Sequence, residues 1–151
     1  MLEELRRVVQ EVSAVSDLSL ALEIIVDRTQ AIMASEVCSV YLFDEKSKRY
    51  VFRATRGLNK QAVGKISLGT NEGLVGYVAQ RAEPVNVENV GDHPRNQYIA
   101  EIGEDAFHSF LGVPIIHQGQ VLGVLVVQHK SKRKFDESEE AFLITLSAQL
   151  A

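Results

Sequence analysis

The stretch from Phe107 to His129 constrains the fold more than any other part of the chain. Two apolar runs rich in β-branched residues, Phe107 to His117 and Gln120 to His129, are separated by Gln118 and Gly119. Gly119 can take the positive φ that a tight two-residue connection needs, so the spacing predicts a β-hairpin. Each run is almost continuously apolar, which is the pattern of strands buried on both faces at the centre of a sheet covered by helices. Pro114 has no N–H to place in a ladder, so a bulge or bend is expected there. Ser109 and Gln128 interrupt the apolar runs near their ends. Polar exceptions inside an apolar sheet are where a binding function could sit.

The rest of the chain arranges itself around that hairpin. Leu2, Leu5, Val8, Val9, Val12 and Val15 recur every three or four residues and predict an amphipathic helix. Ser16 and Asp17 offer caps for a second helix running to about Ala34, with Leu18, Leu22, Ile25, Thr29 and Ile32 on one face. Its wide apolar stripe predicts contact with the sheet and with another helix. Strands are expected from Glu36 to Asp44 and from Tyr50 to Arg56, joined by a polar turn. Alternation puts Val37, Ser39 and Tyr41 on one face of the first and Cys38, Val40 and Leu42 on the other. In the second, the same rule puts Phe52 and Ala54 toward the core and Val51, Arg53 and Thr55 on a more polar face. A short strand is expected near Val63 to Ser67, a short helix from about Leu74 to Arg81, and a short strand from Val85 to Val87. The irregular segment Glu88 to Gly103, which has room for one helical turn, reads as a binding loop or lid. The last helix begins after Asp136, with Glu139 three residues on and an acidic first turn suited to the helix dipole. Phe142, Leu143, Leu146 and Leu150 form its apolar face. The sequence stops inside this helix with no stop signal, so a single domain, residues 1–151, cut from a longer protein is expected.

Charge and composition exclude several function classes. The 151 residues are 46% hydrophobic, enough for one core. A net charge of -4 does not suit a general nucleic-acid binder. Lys130 to Lys134 is basic but short, lacks interleaved aromatics and is followed by acids, so it reads as a solvated turn. No apolar run approaches the roughly 20 residues that span a bilayer, and the charged N-terminus is unlike a signal peptide. A cytoplasmic location with no membrane partner is expected. Cys38, the single cysteine, falls in a central strand and reads as a small buried hydrophobe. His93, His108, His117 and His129 lack the spacing of a metal pair and have no evident nucleophile partner. His117 and His129, at a turn and a strand end, are expected at the surface. No catalytic residue, metal or cofactor is expected.

Cys-Ser-Val-Tyr-Leu (38–42), Glu-Gly-Leu-Val-Gly (72–76), Leu-Gly-Val-Pro-Ile (111–115) and Leu-Gly-Val-Leu (122–125), in this order of elements, resemble a GAF domain. Ala-Thr-Arg-Gly-Leu (54–58), Ala-Glu-Pro-Val-Asn (82–86), Gly-Val-Leu-Val-Val-Gln (123–128) and Asp-Glu-Ser-Glu-Glu (136–140) are similar to the N-terminal GAF domains of nitrogen-related phosphoenolpyruvate–protein phosphotransferases, over almost the whole chain. The resemblance implies an α+β, PAS-related fold: a six-stranded antiparallel sheet with terminal helices on one face and a small-molecule pocket on the other. It implies a regulatory sensor of nitrogen status, not itself an enzyme, that controls phosphoryl transfer from phosphoenolpyruvate by downstream phosphotransferase domains. Glutamine is the leading ligand. A 2-oxoglutarate sensor, like the GAF domains of nitrogen-fixation activators, is the sibling reading, and a non-binding dimerisation spacer is the rival. A homodimer through the terminal helices is expected.

The resemblance also directs attention to a set of side chains. Ser39, Tyr41, Ser109 and Gln128 match positions that point into the ligand cavity of similar GAF domains. A buried Gln or Ser left unpaired costs about 1–3 kcal/mol, which a ligand, a neighbouring group or a water would remove. A ligand carboxylate needs a partner, and Arg53, Arg56 and Arg95 are candidates because guanidinium binds carboxylates in bidentate fashion. Thr55 joins the set from the polar face it shares with Arg53, and Tyr98 as a residue of the lid-like loop. The mechanism expected is a population shift, in which ligand contacts bias the loop from Glu88 to Gly103 and, through it, the terminal helices.

Overall fold

The hairpin forms as its spacing requires. Gln118 and Gly119 both take positive φ, 51° and 78°, the backbone of the mirror-type turn whose twist matches the flanking strands. In the computed structural model, residues 2–95 and 107–151 are described. The elements are α1 (Leu2–Ser13), α2 (Leu18–Met33), β1 (Val37–Asp44), β2 (Arg49–Arg56), β3 (Ser67–Leu68), α3 (Gly73–Arg81), β4 (Val85–Val87), β5 (Ser109–His117), β6 (Gln120–His129) and α4 (Glu137–Leu150). The six strands make one sheet in the order β3-β2-β1-β6-β5-β4, antiparallel throughout.

Both faces of the central strands are covered, as their unbroken apolar runs require. On one face, Leu22, Ile25 and Val26 of α2 and Leu143 and Leu146 of α4 pack with Cys38, Val40, Leu111, Val113, Leu125 and Val127. This is the helix face. α1 rests on both α2 and α4 and buries Val8. On the other, inner face, Leu74, Val75 and Val78 of α3 pack with Val37, Tyr41, Phe52, Phe110, Val124 and Val126. Each fully buried Val, Leu or Phe contributes about 1.5–3 kcal/mol.

The helix ends follow local chemistry. The Asp17 carboxylate accepts from Ser19 N–H at 3.0 Å to start α2. The capping box of α4 is complete: Asp136 accepts from Glu139 N–H at 2.8 Å, and Glu139 accepts from Asp136 N–H at 2.9 Å. Pro114 lies where β5 has run past the end of β4, and the irregularity in the β5–β6 ladder falls just beyond it, between Ile115 and Ile116.

Three expectations change. The short strand near Val63 is confined to Ser67–Leu68, because Lys60–Ala62 coils into a 3-10 turn that ends at Val63. Phe52 and Ala54 do not share a face. The ladder pairs Val40 with Ala54 but Tyr41 with Phe52, so Arg53 is the extra residue of a β-bulge, and one residue of slip reverses the facing of everything beyond it. His129 is buried, at 9% exposure, because Phe135 folds back and stacks on its ring with centroids 5.3 Å apart.

Thr29, on α2, is fully buried, and its hydroxyl has no hydrogen-bond partner among the described residues. Replacing it by the near-isosteric valine removes an unpaid desolvation at constant shape. Thr29→Val is expected to stabilise the fold by about 1 kcal/mol, seen as a higher urea midpoint at unchanged slope.

Candidate functional site

The inner face reads as a grid set by strand register. One row runs Phe110, Gln128, Val37; the next runs Gly112, Val126, Ser39, Thr55; the third runs Pro114, Val124, Tyr41, Phe52. The bulge at Arg53 is what brings Thr55 into this face, in the row of Ser39. α3 lies close over the grid: a Cβ on Gly112 would meet Val78 at 2.9 Å and the Phe110 ring at 2.7 Å. That approach seats α3 over β5 and β6, the strand that carries Gln128.

Those polar members are Ser39, Thr55 and Gln128, at 0%, 1% and 3% exposure, with Tyr41 at 1%. The Ser39 and Thr55 hydroxyls are hydrogen-bonded to each other at 2.9 Å. Thr55 Oγ1 also accepts from Leu58 N–H at 3.4 Å. The Tyr41 ring lies tilted against Phe52, centroids 5.1 Å apart, which fixes the ring and leaves its hydroxyl as the polar end. Hydroxyls and a carboxamide in an apolar surround can orient a small polar molecule by donors and acceptors without presenting a formal charge.

The other expected site residues fall elsewhere. Ser109 keeps phase with Leu111 and Val113, which pack on the helix face, so it belongs to that face and not with Gln128. Its hydroxyl donates to the His129 carbonyl at 3.4 Å. Arg53 is exposed at the bulge. Arg56 pairs with Asp27 of α2 at 3.1 Å. Arg95 donates to the Thr70 carbonyl at 2.7 Å and to Gln80 Oε1 at 2.8 Å, and its guanidinium stacks on Tyr77, 5.1 Å from the centroid. It ties the chain after β4 to α3. Tyr98 lies outside the described residues.

Near the N-terminus of α3 the Glu72 carboxylate accepts from Gly69 N–H at 2.8 Å and pairs with Arg49. The Gly69 bond first, and Arg49 second, hold this carboxyl below the usual carboxylate range. Cys38 is wholly buried, and desolvation pushes its thiol far above the ordinary range, which disfavours the thiolate that cysteine chemistry needs. Among the described residues no group of three His, Cys, Asp or Glu could hold a metal, and no helix is long and apolar enough to cross a membrane.

A cavity of about 350 Å³ opens on the helix face, among α1, α2 and the sheet. Val12, Leu22, Ile25, Leu42, Ile115 and Leu150 are among its lining residues, and every residue that lines it is apolar. Its lining side chains offer no donor or acceptor to a polar metabolite. The inner face carries the buried polar side chains Ser39, Thr55 and Gln128.

Sequence reading missed the partner of Ser39. Thr55 was grouped with Arg53 by simple alternation, and the pairing of two hydroxyl-bearing strand residues sixteen positions apart was the available signal.

Comparison with known proteins agrees with this architecture. Residues 17–151 match the GAF domain family. A curated relative from Escherichia coli (strain K12), described as "Phosphoenolpyruvate-dependent phosphotransferase system", is 46% identical over 151 residues, which is all of this chain and 20% of that protein. The chain therefore spans about a fifth of the length of the curated relatives it matches. Among solved structures, the GAF domain from an Acinetobacter phosphoenolpyruvate-protein phosphotransferase is 48% identical with a TM-score of 0.91, covering 99% of this chain and 89% of that one. The corresponding domain from Coxiella burnetii is 42% identical with a TM-score of 0.93 and the same coverage. The chain belongs to the GAF domain family, and within it to the GAF domains of phosphoenolpyruvate-protein phosphotransferases.

Proposed function

We propose that this chain is the regulatory input module of a phosphoenolpyruvate–protein phosphotransferase, and that it binds a small polar metabolite, glutamine first among candidates, against the inner face of its sheet. The observation that carries the reading is the placement of Gln128 beside the Ser39–Thr55 pair, buried on one face among apolar residues and beneath α3. A carboxamide facing a carboxamide ligand can both donate and accept, which suits glutamine better than an oxo-acid. Phosphoryl transfer belongs to the other domains of such an enzyme. α4 packs on β5, so ligand contacts that shift the sheet or the chain after β4 bias a terminal helix by their differential affinity for its two positions.

The competing reading is a spacer that binds nothing and dimerises through its helices. In its favour, Ser39 and Thr55 already satisfy each other, and Leu2, Leu18, Leu20 and Ile144 are exposed on the helical layer. Thermal denaturation with glutamine, 2-oxoglutarate and a wider metabolite panel separates the two. A ligand at about 100 times its Kd adds about 2.7 kcal/mol, which for a domain of this size raises Tm by roughly 5–10 °C. Such a rise with glutamine is the expected result. A rise with 2-oxoglutarate alone moves the ligand class, and a flat panel favours the spacer.

A further inference from the structure

The end of β6 carries two polar residues of opposite facing. Gln128 points to the inner face, and His129 to the helix face, where it meets a charged cluster that the ligand reading does not use. Arg133 Nη2 lies 2.8 Å from His129 Nε2 and 2.8 Å from Glu139 Oε2. A guanidinium only donates, so Nε2 is the acceptor and the ring proton sits on Nδ1, which faces Glu36 Oε1 at 3.6 Å. Glu36 in turn accepts from Lys130 N–H at 2.7 Å. Glu139 is the reciprocal half of the α4 capping box. The Phe135 ring lies against both His129 (centroids 5.3 Å apart) and the Arg133 guanidinium, 4.8 Å away. Its backbone is pinned to Asn86 of β4 through N–H and carbonyl, at 3.2 and 2.8 Å.

One guanidinium thus joins the last residue of the central strand to the first turn of α4. The join requires a neutral imidazole, since a proton on Nε2 removes the acceptor and sets two cations 2.8 Å apart. We propose that Arg133 is a latch holding the N-terminus of α4 to the sheet, and that proton uptake by His129 opens it.

The groups facing the ring are Arg133 from the segment before α4, Glu139 from α4 and Glu36 from the segment before β1. Burial first, and Arg133 second, hold the imidazole below its ordinary value, outweighing the two carboxylates. The sign follows. A group whose pKa is lowered in the closed state stabilises that state fully above the ordinary imidazole value of about 6.5, and the stabilisation is lost as pH falls through the lower, latched value. The first turn of α4 loosens on acidification, over a range in which carboxylates of ordinary pKa remain charged.

The test is amide hydrogen exchange by NMR at Glu139 and Glu140, whose N–H groups close the first turn on Asp136, alongside direct titration of the His129 ring. After correction for intrinsic exchange, protection in the wild-type chain falls between pH 7.5 and 5.5, by up to about tenfold for each unit by which the latched pKa lies below that of a free imidazole. His129→Gln keeps an acceptor that cannot be protonated, and its protection stays high and flat with pH. Arg133→Met starts open, with low, pH-independent protection and a His129 pKa raised toward its ordinary range. Should His129→Gln fail to fold, the Arg133→Met comparison decides alone. Flat protection in the wild-type chain overturns the proposal. So does a pH dependence that survives in His129→Gln, since the proton then belongs to another group, or a His129 pKa unmoved in Arg133→Met.

Discussion

Gly57→Ala is expected to destabilise the domain by more than about 3 kcal/mol. Gly57 ends β2 with φ +102°, a conformation that costs an alanine about 1–3 kcal/mol in backbone strain alone. A Cβ there would stand 2.3 Å from the Glu36 carbonyl and 3.0 Å from Val37 Cγ2. Those atoms lie in Glu36, just before β1, and in Val37, its first residue, and the chain there is hydrogen-bonded to β6 through Glu36 N–H and the Gln128 carbonyl at 3.2 Å. The strand has no room to give without opening that ladder beside the proposed site. For a domain of this size the loss lowers Tm by about 10 °C. Gly119→Ala is the internal control. It also has positive φ, +78°, but nothing lies within 4 Å of a Cβ there, so it is expected to cost only about 1 kcal/mol. Equal effects from the two would mean that strain, and not the close approach of β1, governs Gly57.

Gln128→Leu is expected to cut the glutamine-dependent rise in Tm by about half or more, at the same glutamine concentration, while leaving a folded domain. Leucine has similar length and branching, and its cross-strand neighbours on the inner face are Val37 and Phe110, so an apolar side chain is accommodated. Stability without ligand should stay within about 2 kcal/mol of the wild type. A ligand amide left facing leucine loses its partner in a site screened from water, which costs about 1–3 kcal/mol and weakens binding by roughly 10- to 100-fold. Ser109→Ala, on the opposite face, is the matched control and should leave the shift intact. If Gln128→Leu responds like the wild type, the carboxamide does not contact the ligand.

What could be read in the residues and what could not divides along a physical line. The hairpin, the capped start of α4 and the two facings of β6 follow from turn chemistry, reciprocal capping and period-2 alternation, all encoded within a few neighbouring residues. Arg53 was placed toward the ligand, and Ala54 on the face of Phe52, because a bulge adds one residue without leaving a mark in composition, and alternation counts straight through it. Ser109 was set beside Gln128 by resemblance, although its phase with Leu111 already placed it on the helix face. Arg95 could not be located, because its acceptors on Thr70 and Gln80 come from a distant segment. His129 looked exposed because its burial depends on Phe135, six residues away across a turn.

The central claim is that a small polar metabolite is held on the inner face of the sheet. Amide chemical-shift mapping with glutamine tests it most directly. The result expected is saturable shifts concentrated at Val37 to Tyr41, at Thr55 and at Val126 to Gln128, with the midpoint moved to roughly 10- to 100-fold higher glutamine in Gln128→Leu. Saturable shifts confined to α1, α2 and the residues around the apolar cavity, or no shifts with glutamine or any other metabolite of the panel, would contradict it.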